Sequence, residues 1–520
     1  MSDTQYSLFA PDQPAGAMSA PLPERPLPPK RKAAKSLPFT GEQLDIITAP
    51  LDVPTTKIEA RAGTGKSTVL TARALHHANV PGAYLVYNTA NQVAAKRRMP
   101  DWIDSRTFHS LAWHVGQAYQ HKLRQRDLKK REVIELLGLE RNYAAAGDII
   151  DTIKWWLASA DDDFPTTPRA LDREILGPPH YLQSIAIFAN RLWTMMTDTR
   201  SPAPITHDAY FKMWALSHPR ISFPYIMLDE AQDANACSFR VFMEQDCPRV
   251  FVGDSHQGIY GFRGASDLFE RSEADQTFYL TQSFRFGPRV AEIASSLLSH
   301  LKGDDLPIIG AGADTKIGKL PDGVQRTVIC RTNAEVFFRA AAAVQMGESV
   351  SFVGSLSRYG FDRIHDCYRL YAGERADMQD AWLRSFSSFD EYEEHSDMSD
   401  DVEGKRLCKI VRQYEEFVPG LIDEIKTRAV ADIRRADRVF STAHRCKGFD
   451  LDWVLIGDDF TDLVDANGEP QMDRGQLSVS DINLAYVVAT RAVHGMELNP
   501  QLASFGDYAE WSFLREDVTR

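Results

Sequence analysis

The sequence predicts an α/β protein of two lobes, each a parallel sheet covered by helices on both faces. Three observations lead there. Short apolar segments of strand type recur along the chain and alternate with stretches whose apolar residues follow helical spacing, which is the pattern of parallel sheets wrapped by helices. The alternation runs through two separate cycles, one beginning near residue 55 and one near residue 326. The chain has 520 residues and is 43% hydrophobic, enough length and apolar content for several domains with sizeable cores.

Taken in order, residues 1–38 are rich in Pro, Ala, Ser and Lys and bury too little apolar surface to offset their ordering entropy, so a flexible tail is expected, with order beginning near Phe39. "TTKIEARAGTGKSTVLTARAL" reads as strand, glycine-rich loop and helix, and "AYLVYN" (83–88) as a second strand. Residues 113–220 look mainly helical, as in "VIELLGL" and "DTIKWWLASA". "YIMLDEA" (225–231) and "RVFVGD" (249–254) are short apolar strands ending in carboxylates. "RTVICRT" (326–332) and "DWVLIGDD" (452–459) belong to the second cycle, with a further insertion at about 346–434. The acidic run "FDEYEEHSDMSDDVEG" (389–404) reads as a solvated surface segment.

Composition narrows the class. The six cysteines are scattered without a CxxC pair, which speaks against a zinc ribbon or a disulfide framework and for a reducing cytoplasm. No apolar run is long enough to cross a bilayer, and "MSDTQYSLFA" lacks the layout of a secretion signal. Taken alone, the net charge of −13 argues against nucleic-acid binding, where a basic footprint is expected. Basic residues nevertheless gather in "AAKRRMP" (94–100), "KLRQRDLKKR" (122–131) and "KTRAVADIRRADR" (426–438). Each is either a solvated helix face or part of a nucleic-acid track.

The strongest chemical signal is "AGTGKS", Ala62 to Ser67. Gly63 and Gly65 let the backbone N–H groups, Thr64 among them, wrap a phosphate chain. Lys66 can reach terminal phosphates and Ser67 can ligate Mg²⁺. Ala60 stands where the general pattern has its first glycine. "MLDEAQD" (227–233) delivers Asp229 and Glu230 to a strand's C-terminal end, where open α/β sheets bind ligands. Asp229 is expected to hold Mg²⁺ and Glu230 to polarise an attacking water. A nucleotide triphosphate and Mg²⁺ are therefore the expected substrate and cofactor, and the resemblance below makes the nucleotide ATP.

With these motifs in hand, the chain resembles superfamily 1 DNA helicases of the UvrD/Rep/PcrA type. The resemblance is carried, in the family's order, by "FTGEQ", "ARAGTGKST", "LVYNTANQVAAKR", "SRTFHSLAW", "MLDEAQD", "VGDSHQGIYGFRGA", "LTQSFRFG", "VICRTNAEV", "STAHRCKGFDLDWVLI" and "NLAYVVATRA", spanning residues 39 to 492. The region from "YNTANQVAAKRRMP" to "SRTFHSLA" is similar to the F-box DNA helicase branch, without an evident F-box. The resemblance implies two RecA-like P-loop NTPase lobes, at 39–112 with 221–282 and at 283–345 with 435–520, carrying helical accessory insertions at 113–220 and 346–434. It implies that Gln43 reads the adenine edge, that Phe284 stacks on the base, and that Gln257 contacts the γ-phosphate. Arg285 and Arg491 are implied for transition-state charge, as arginine fingers are elsewhere. Tyr260 and Phe262 would stack on bases of single-stranded DNA, and Tyr87, Thr107, Phe108, His109, Arg263, Asn333, Thr442 and His444 match other DNA-facing positions. Thr68 replaces an arginine that many relatives place beside the base. In "KGFD", Gly448 and Asp450 match the ribose-binding stretch, where a glutamate is usual at the latter position.

The implied function is ATP-dependent 3′→5′ translocation on single-stranded DNA with unwinding of tailed duplexes, in repair, recombination or replication. Two rivals stand beside it: a DNA-stimulated ATPase subunit of a larger complex, and a non-motor protein whose nucleotide site is a switch. Finally, "QYSLF" (5–9) resembles the peptide with which bacterial replication and repair proteins dock on the sliding clamp, with Gln5 at the pocket rim and Leu8 and Phe9 in an apolar pocket.

Overall fold

A computed structural model describes residues 38–506, apart from 126, 141, 262–263, 265–266, 381, 399–401 and 466. The expected flexible tail and the 5–9 peptide lie outside the described residues. The chain divides into two compact units after Gln282.

The first unit carries a six-stranded parallel sheet. Its strands are β1 (Thr55–Ala60), β2 (Gly82–Val86), β3 (Ile103–Thr107), β4 (Ile226–Leu228), β5 (Arg249–Gly253) and β6 (Gln276–Leu280), in the order β3-β2-β4-β5-β1-β6. The pattern of each strand matches its place. β2 and β4 are buried throughout, whereas the edge strands alternate, β3 between buried and half-buried positions and β6 between half-buried and exposed ones before its buried last residue. On one face, Ile58, Val69, Leu70, Tyr84, Met227 and Val252 form a core with helix α1 (Gly41–Thr48) and helix α2 (Lys66–His76). Helix α3 (Thr89–Arg98) joins β2 to β3 and adds Ala95 to that core.

On the other face, Leu85, Leu228 and Phe251 share one core with the helical insertion. Its main helices are α4 (Tyr143–Ala158), α5 (Pro179–Thr197) and α6 (His207–Ala215), which contribute Trp156, Leu192 and Phe211. Helix α7 (Ala236–Met243) follows β4 and is capped by Asn235.

The second unit repeats the plan with β7 (Lys316–Ile317), β8 (Arg326–Cys330), β9 (Val350–Phe352), β10 (Arg438–Thr442), β11 (Leu451–Ile456) and β12 (Ala492–Glu497), in the order β7-β12-β11-β8-β10-β9, all parallel. Helix α8 (Pro288–Lys302) packs against α10 (Val479–Ala489), while α9 (Asn333–Gln345) follows β8. α10 is buried along almost its whole length, so it reads as an apolar run rather than a one-sided helix. The predicted α/β class with two parallel sheets is thus observed.

Helices Phe361–Ala372, Phe389–Met398, Val402–Tyr414 and Val418–Arg428 form the second insertion and share their core with Val328 and Phe440 of the sheet. The acidic run reads differently in the fold. It is not simply a solvated segment, because Phe389 and Tyr392 are buried while Asp390 and Glu393 turn outward to Arg412. Three-residue spacing of its aromatics, hidden by the charge count, supplies the buried side. No helix among the described residues is long and apolar enough to cross a membrane.

Candidate nucleotide and DNA site

The phosphate loop follows β1 and ends at α2. Gly63 and Gly65 sit at φ 77° and 80°, left-handed values that a side chain resists. Gly65 is the N-cap of α2 and offers no side chain to the first-turn N–H groups, which leaves them for an anion. Ala62 is fully buried and Thr68 is exposed. Thr64 braces the loop through its hydroxyl, which donates to the Arg61 carbonyl (2.9 Å).

Gln43 is engaged at both ends of its amide. Its Oε1 accepts the Thr40 N–H (3.1 Å) in the capping box of α1, and its Nε2 donates to the Thr64 carbonyl (3.1 Å). The residue expected to read adenine therefore also fastens α1 to the phosphate loop.

Beneath the loop, Ser67 Oγ donates to Asp229 Oδ2 (2.5 Å) and Lys66 Nζ lies 3.4 Å from Glu230 Oε2. Burial pulls the Lys66 ammonium down, but Glu230, Asp254 and Asp229 outweigh it and hold its pKa above the ordinary value. Burial, then the neighbouring Glu230 charge, raises the Asp229 carboxyl, opposed by hydrogen bonds from Ser67 and Tyr84. The donors suit a hard divalent cation that keeps several waters: one hydroxyl and one carboxylate in contact, beside a loop shaped for phosphates. On that chemistry the residues fit Mg²⁺ and a nucleotide triphosphate.

Glu230 has a left-handed backbone, φ 55° and ψ 46°. Its carboxylate accepts from Gln232 Nε2 (2.6 Å), and Gln232 Oε1 accepts the Asp254 N–H (3.0 Å). Asp254 Oδ2 in turn accepts from Gln257 Nε2 (2.6 Å). A continuous chain of hydrogen bonds thus joins the candidate water-orienting carboxylate to the candidate phosphate sensor. Gln232 and Asp254 were not singled out as site residues in the sequence, although both lie inside motifs that were. Their signal is a polar residue just beyond an apolar strand and destined for burial, Asp254 directly after β5 and Gln232 four residues after β4.

In the second unit, Arg285 Nε donates to Asp450 Oδ1 (2.5 Å) and its Nη1 to the Thr490 carbonyl (3.2 Å). Asp450, expected near ribose, is the partner of this arginine. Arg491 has no exposed surface and donates to the Val487 carbonyl (2.8 Å) and to Thr490 Oγ1 (3.1 Å). Burial, then the nearby Arg285 charge, lowers its pKa to about 10. Of the two arginines expected at the transition-state charge, Arg285 keeps a partly exposed guanidinium, while Arg491 is held inside its own unit by the Val487 carbonyl of α10 and the Thr490 hydroxyl. Phe284 is half-buried, and Gly448 is exposed at φ 84°.

The DNA-facing expectations divide. Phe108 is 2% exposed and packs between Tyr87 (5.7 Å) and Phe211 (6.0 Å) in the core. That corrects its reading as a surface ring: its helical turn points Phe108 inward and leaves His109 at the rim, where Nε2 lies 2.9 Å from Asp208 Oδ1. Thr107 is also buried, its hydroxyl committed to the Ser110 N–H (3.1 Å). Tyr87 is half-buried, with its hydroxyl 2.7 Å from Ser238 Oγ. Tyr260, Asn333 and His444 are half-buried, and Thr442 is buried at the end of β10. Phe262 and Arg263 lie outside the described residues.

Comparison with known proteins agrees with this geometry. Residues 89–276 match the family described as UvrD/REP helicase N-terminal domain. The chain is 29% identical over 497 residues to F-box DNA helicase 1 of Gallus gallus, covering 89% of this chain and 49% of that protein. It is 28% identical over 510 residues to F-box DNA helicase protein 1 of Schizosaccharomyces pombe, covering 89% and 57%. It is 25% identical over 305 residues to the putative ATP-dependent DNA helicase YjcD of Bacillus subtilis, covering 51% and 39%. The chain thus spans about half the length of the F-box relatives it matches.

Proposed function

We propose that this chain is a superfamily 1 helicase of the UvrD/Rep type, an ATP-hydrolysing motor that moves 3′→5′ on single-stranded DNA and opens tailed duplexes during repair, recombination or replication. In this reading the motor lobes are residues 39–112 with 221–282 and 283–345 with 435–520, and the insertions at 113–220 and 346–434 are accessory. The observation that carries it is the hydrogen-bond chain from Glu230 through Gln232 and Asp254 to Gln257. A binding-only switch has no use for a sensor wired to a water-orienting carboxylate.

In this reading each side chain has a role. The phosphate loop takes the phosphates on its backbone N–H groups, and Lys66 turns from Glu230 to their terminal oxygens. Ser67 and Asp229 would hold Mg²⁺, which when bound supplies charge neutralisation on the outer phosphates. Glu230, held by Gln232, orients the water. Gln257 registers the γ-phosphate and its loss, and Arg285 stabilises transition-state charge. Tyr260 and Phe262 offer stacking surfaces to any base, worth about 1–3 kcal/mol each. The unpaired cysteines suit a reducing cytoplasm. The 5–9 peptide would tether the motor to a bacterial sliding clamp.

The test is ATP turnover with and without single-stranded DNA, alongside unwinding of 3′- and 5′-tailed duplexes. Turnover should rise with DNA, vanish in Lys66→Ala, and stop in Glu230→Gln while nucleotide still binds. Turnover without unwinding would favour an ATPase subunit of a larger complex. Unchanged turnover in Glu230→Gln would overturn the site.

A further inference from the structure

Five residues close a ring around the Mg²⁺ candidates, and three of them, Tyr84, Arg98 and Thr71, have no role in the site described so far. Tyr84, on β2 and fully buried, donates its hydroxyl to Asp229 Oδ2, the same oxygen that accepts from Ser67. The phenol oxygen accepts from Arg98 Nη2 (3.1 Å), on the last residue of α3, whose guanidinium carbon lies 6.0 Å from the Tyr84 ring centre. Arg98 Nε donates to Thr71 Oγ1 (3.0 Å), and that hydroxyl donates to the Ser67 carbonyl (2.8 Å). The ring therefore runs Asp229, Tyr84, Arg98, Thr71, Ser67 and back to Asp229.

Its polarity is fixed. Arg98 is a donor only. The Tyr84 and Thr71 hydroxyls each accept from Arg98 and donate onward, one branch ending on Asp229 and the other on the backbone of Ser67. Asp229 Oδ1 is occupied separately by the Glu230 N–H (2.9 Å). Ser67 lies on α2 and Asp229 follows β4, so nothing in the backbone alone sets their separation.

We propose that Tyr84 and Arg98 are positioning residues that hold Asp229 and Ser67 at the spacing a single Mg²⁺ requires. The inference rests on the reading that these two residues hold Mg²⁺ under a bound nucleotide. When the cation takes the Ser67 hydroxyl and an Asp229 oxygen, the bond between those two side chains is given up. Tyr84 then remains as the side-chain donor that keeps Asp229 from swinging away, and Arg98 holds Tyr84 in its rotamer. Partners of this outer kind change metal affinity by about 10–100-fold when removed.

The experiment is binding of a fluorescent ADP analogue to the full chain, titrated with Mg²⁺ and repeated in EDTA, with no turnover required. Tyr84→Phe should raise the half-saturating Mg²⁺ about tenfold and leave binding in EDTA unchanged within about twofold. Arg98→Met keeps the exposed stem and removes both donors, so it should fold and raise the requirement about threefold. The double variant should show less than the product of the two, because Arg98 acts partly through Tyr84. A wild type without Mg²⁺-dependent binding overturns the site reading and this proposal with it. Normal Mg²⁺ dependence in the wild type that is unchanged in Tyr84→Phe overturns the proposal alone, as does a double variant equal to the product. Should Tyr84→Phe not fold, an unshifted Arg98→Met decides against the proposal and a shifted one for it.

Discussion

Lys212 is the place to test how α6 packs on the C-terminal end of α4 inside the insertion. The residue has no exposed surface. Its ammonium donates to the Ser159 carbonyl (2.8 Å) and the Asp161 carbonyl (2.7 Å) at the C-terminal end of α4, and lies 3.8 Å from the Trp156 ring centre. These contacts favour the charged form, yet burial lowers its pKa from 10.5 to about 8. Between those two values the unfolded chain keeps a proton that the folded chain gives up, so stability rises with pH across that window. The full cost, present at pH 7, is about 3 kcal/mol, and about 2–3 kcal/mol of it should be relieved by pH 10. Lys212→Met removes the titration and keeps the stem over Trp156. It leaves two carbonyls without their donor, at about 1–3 kcal/mol each, roughly balancing the charge no longer buried. The assay is urea unfolding of both proteins from pH 7 to pH 10. The wild type should gain about 2–3 kcal/mol on the variant over that range, about 1 M in midpoint. A constant spacing between the two would refute the reasoning, because it would mean that Lys212 titrates alike folded and unfolded.

Other expectations follow from single contacts. A Cβ at Gly253 would lie 2.7 Å from Gln232 Oε1 and 2.9 Å from the Phe269 ring. Gly253→Ala should therefore lower stability by about 2–4 kcal/mol and cut ATP turnover at least about tenfold by displacing the residue that holds Glu230, as thermal melts and phosphate release would read. Gln43→Glu keeps the cap of α1 but sets a carboxylate against the Thr64 carbonyl, so nucleotide affinity should fall while helix content by circular dichroism holds. Phe108→Ala should destabilise by about 3–5 kcal/mol as a core truncation, whereas Phe262→Ala should weaken single-stranded DNA binding by about 1–3 kcal/mol with an unchanged melt. A labelled peptide of residues 1–15 should bind a bacterial sliding clamp and lose binding when Leu8 and Phe9 become alanine.

What could be read from the sequence was what lies close together along it. The phosphate loop is legible because contiguous residues make it, and its glycines declare the backbone they allow. "MLDEAQD" is legible because an apolar strand that ends in carboxylates has few uses. The partners of these motifs were less visible. Tyr84 looks like one more strand residue, and only the fold brings Arg98 and Asp229 to its hydroxyl. Phe108 and His109 are adjacent in sequence and opposite in fate, a choice made by Phe211, about a hundred residues on. The basic run at 426–438 is largely neutralised at short range, Arg428 by Glu424 and Arg434 and Arg435 by Asp432, so there the solvated-face reading fits better than a nucleic-acid track.

The left-handed backbone of Glu230 has a consequence for anyone who evolves this protein in the laboratory. A side chain at such a φ costs on the order of 1–2 kcal/mol that glycine does not incur. A library sorted only for heat resistance or soluble yield would therefore enrich Gly or Asn at position 230, and, with Glu230 in its proposed role, the winners would bind nucleotide without consuming it. Sorting for turnover at every round is the safeguard. A hardened variant that still turns over ATP should be found to have kept the glutamate and gained its degrees elsewhere.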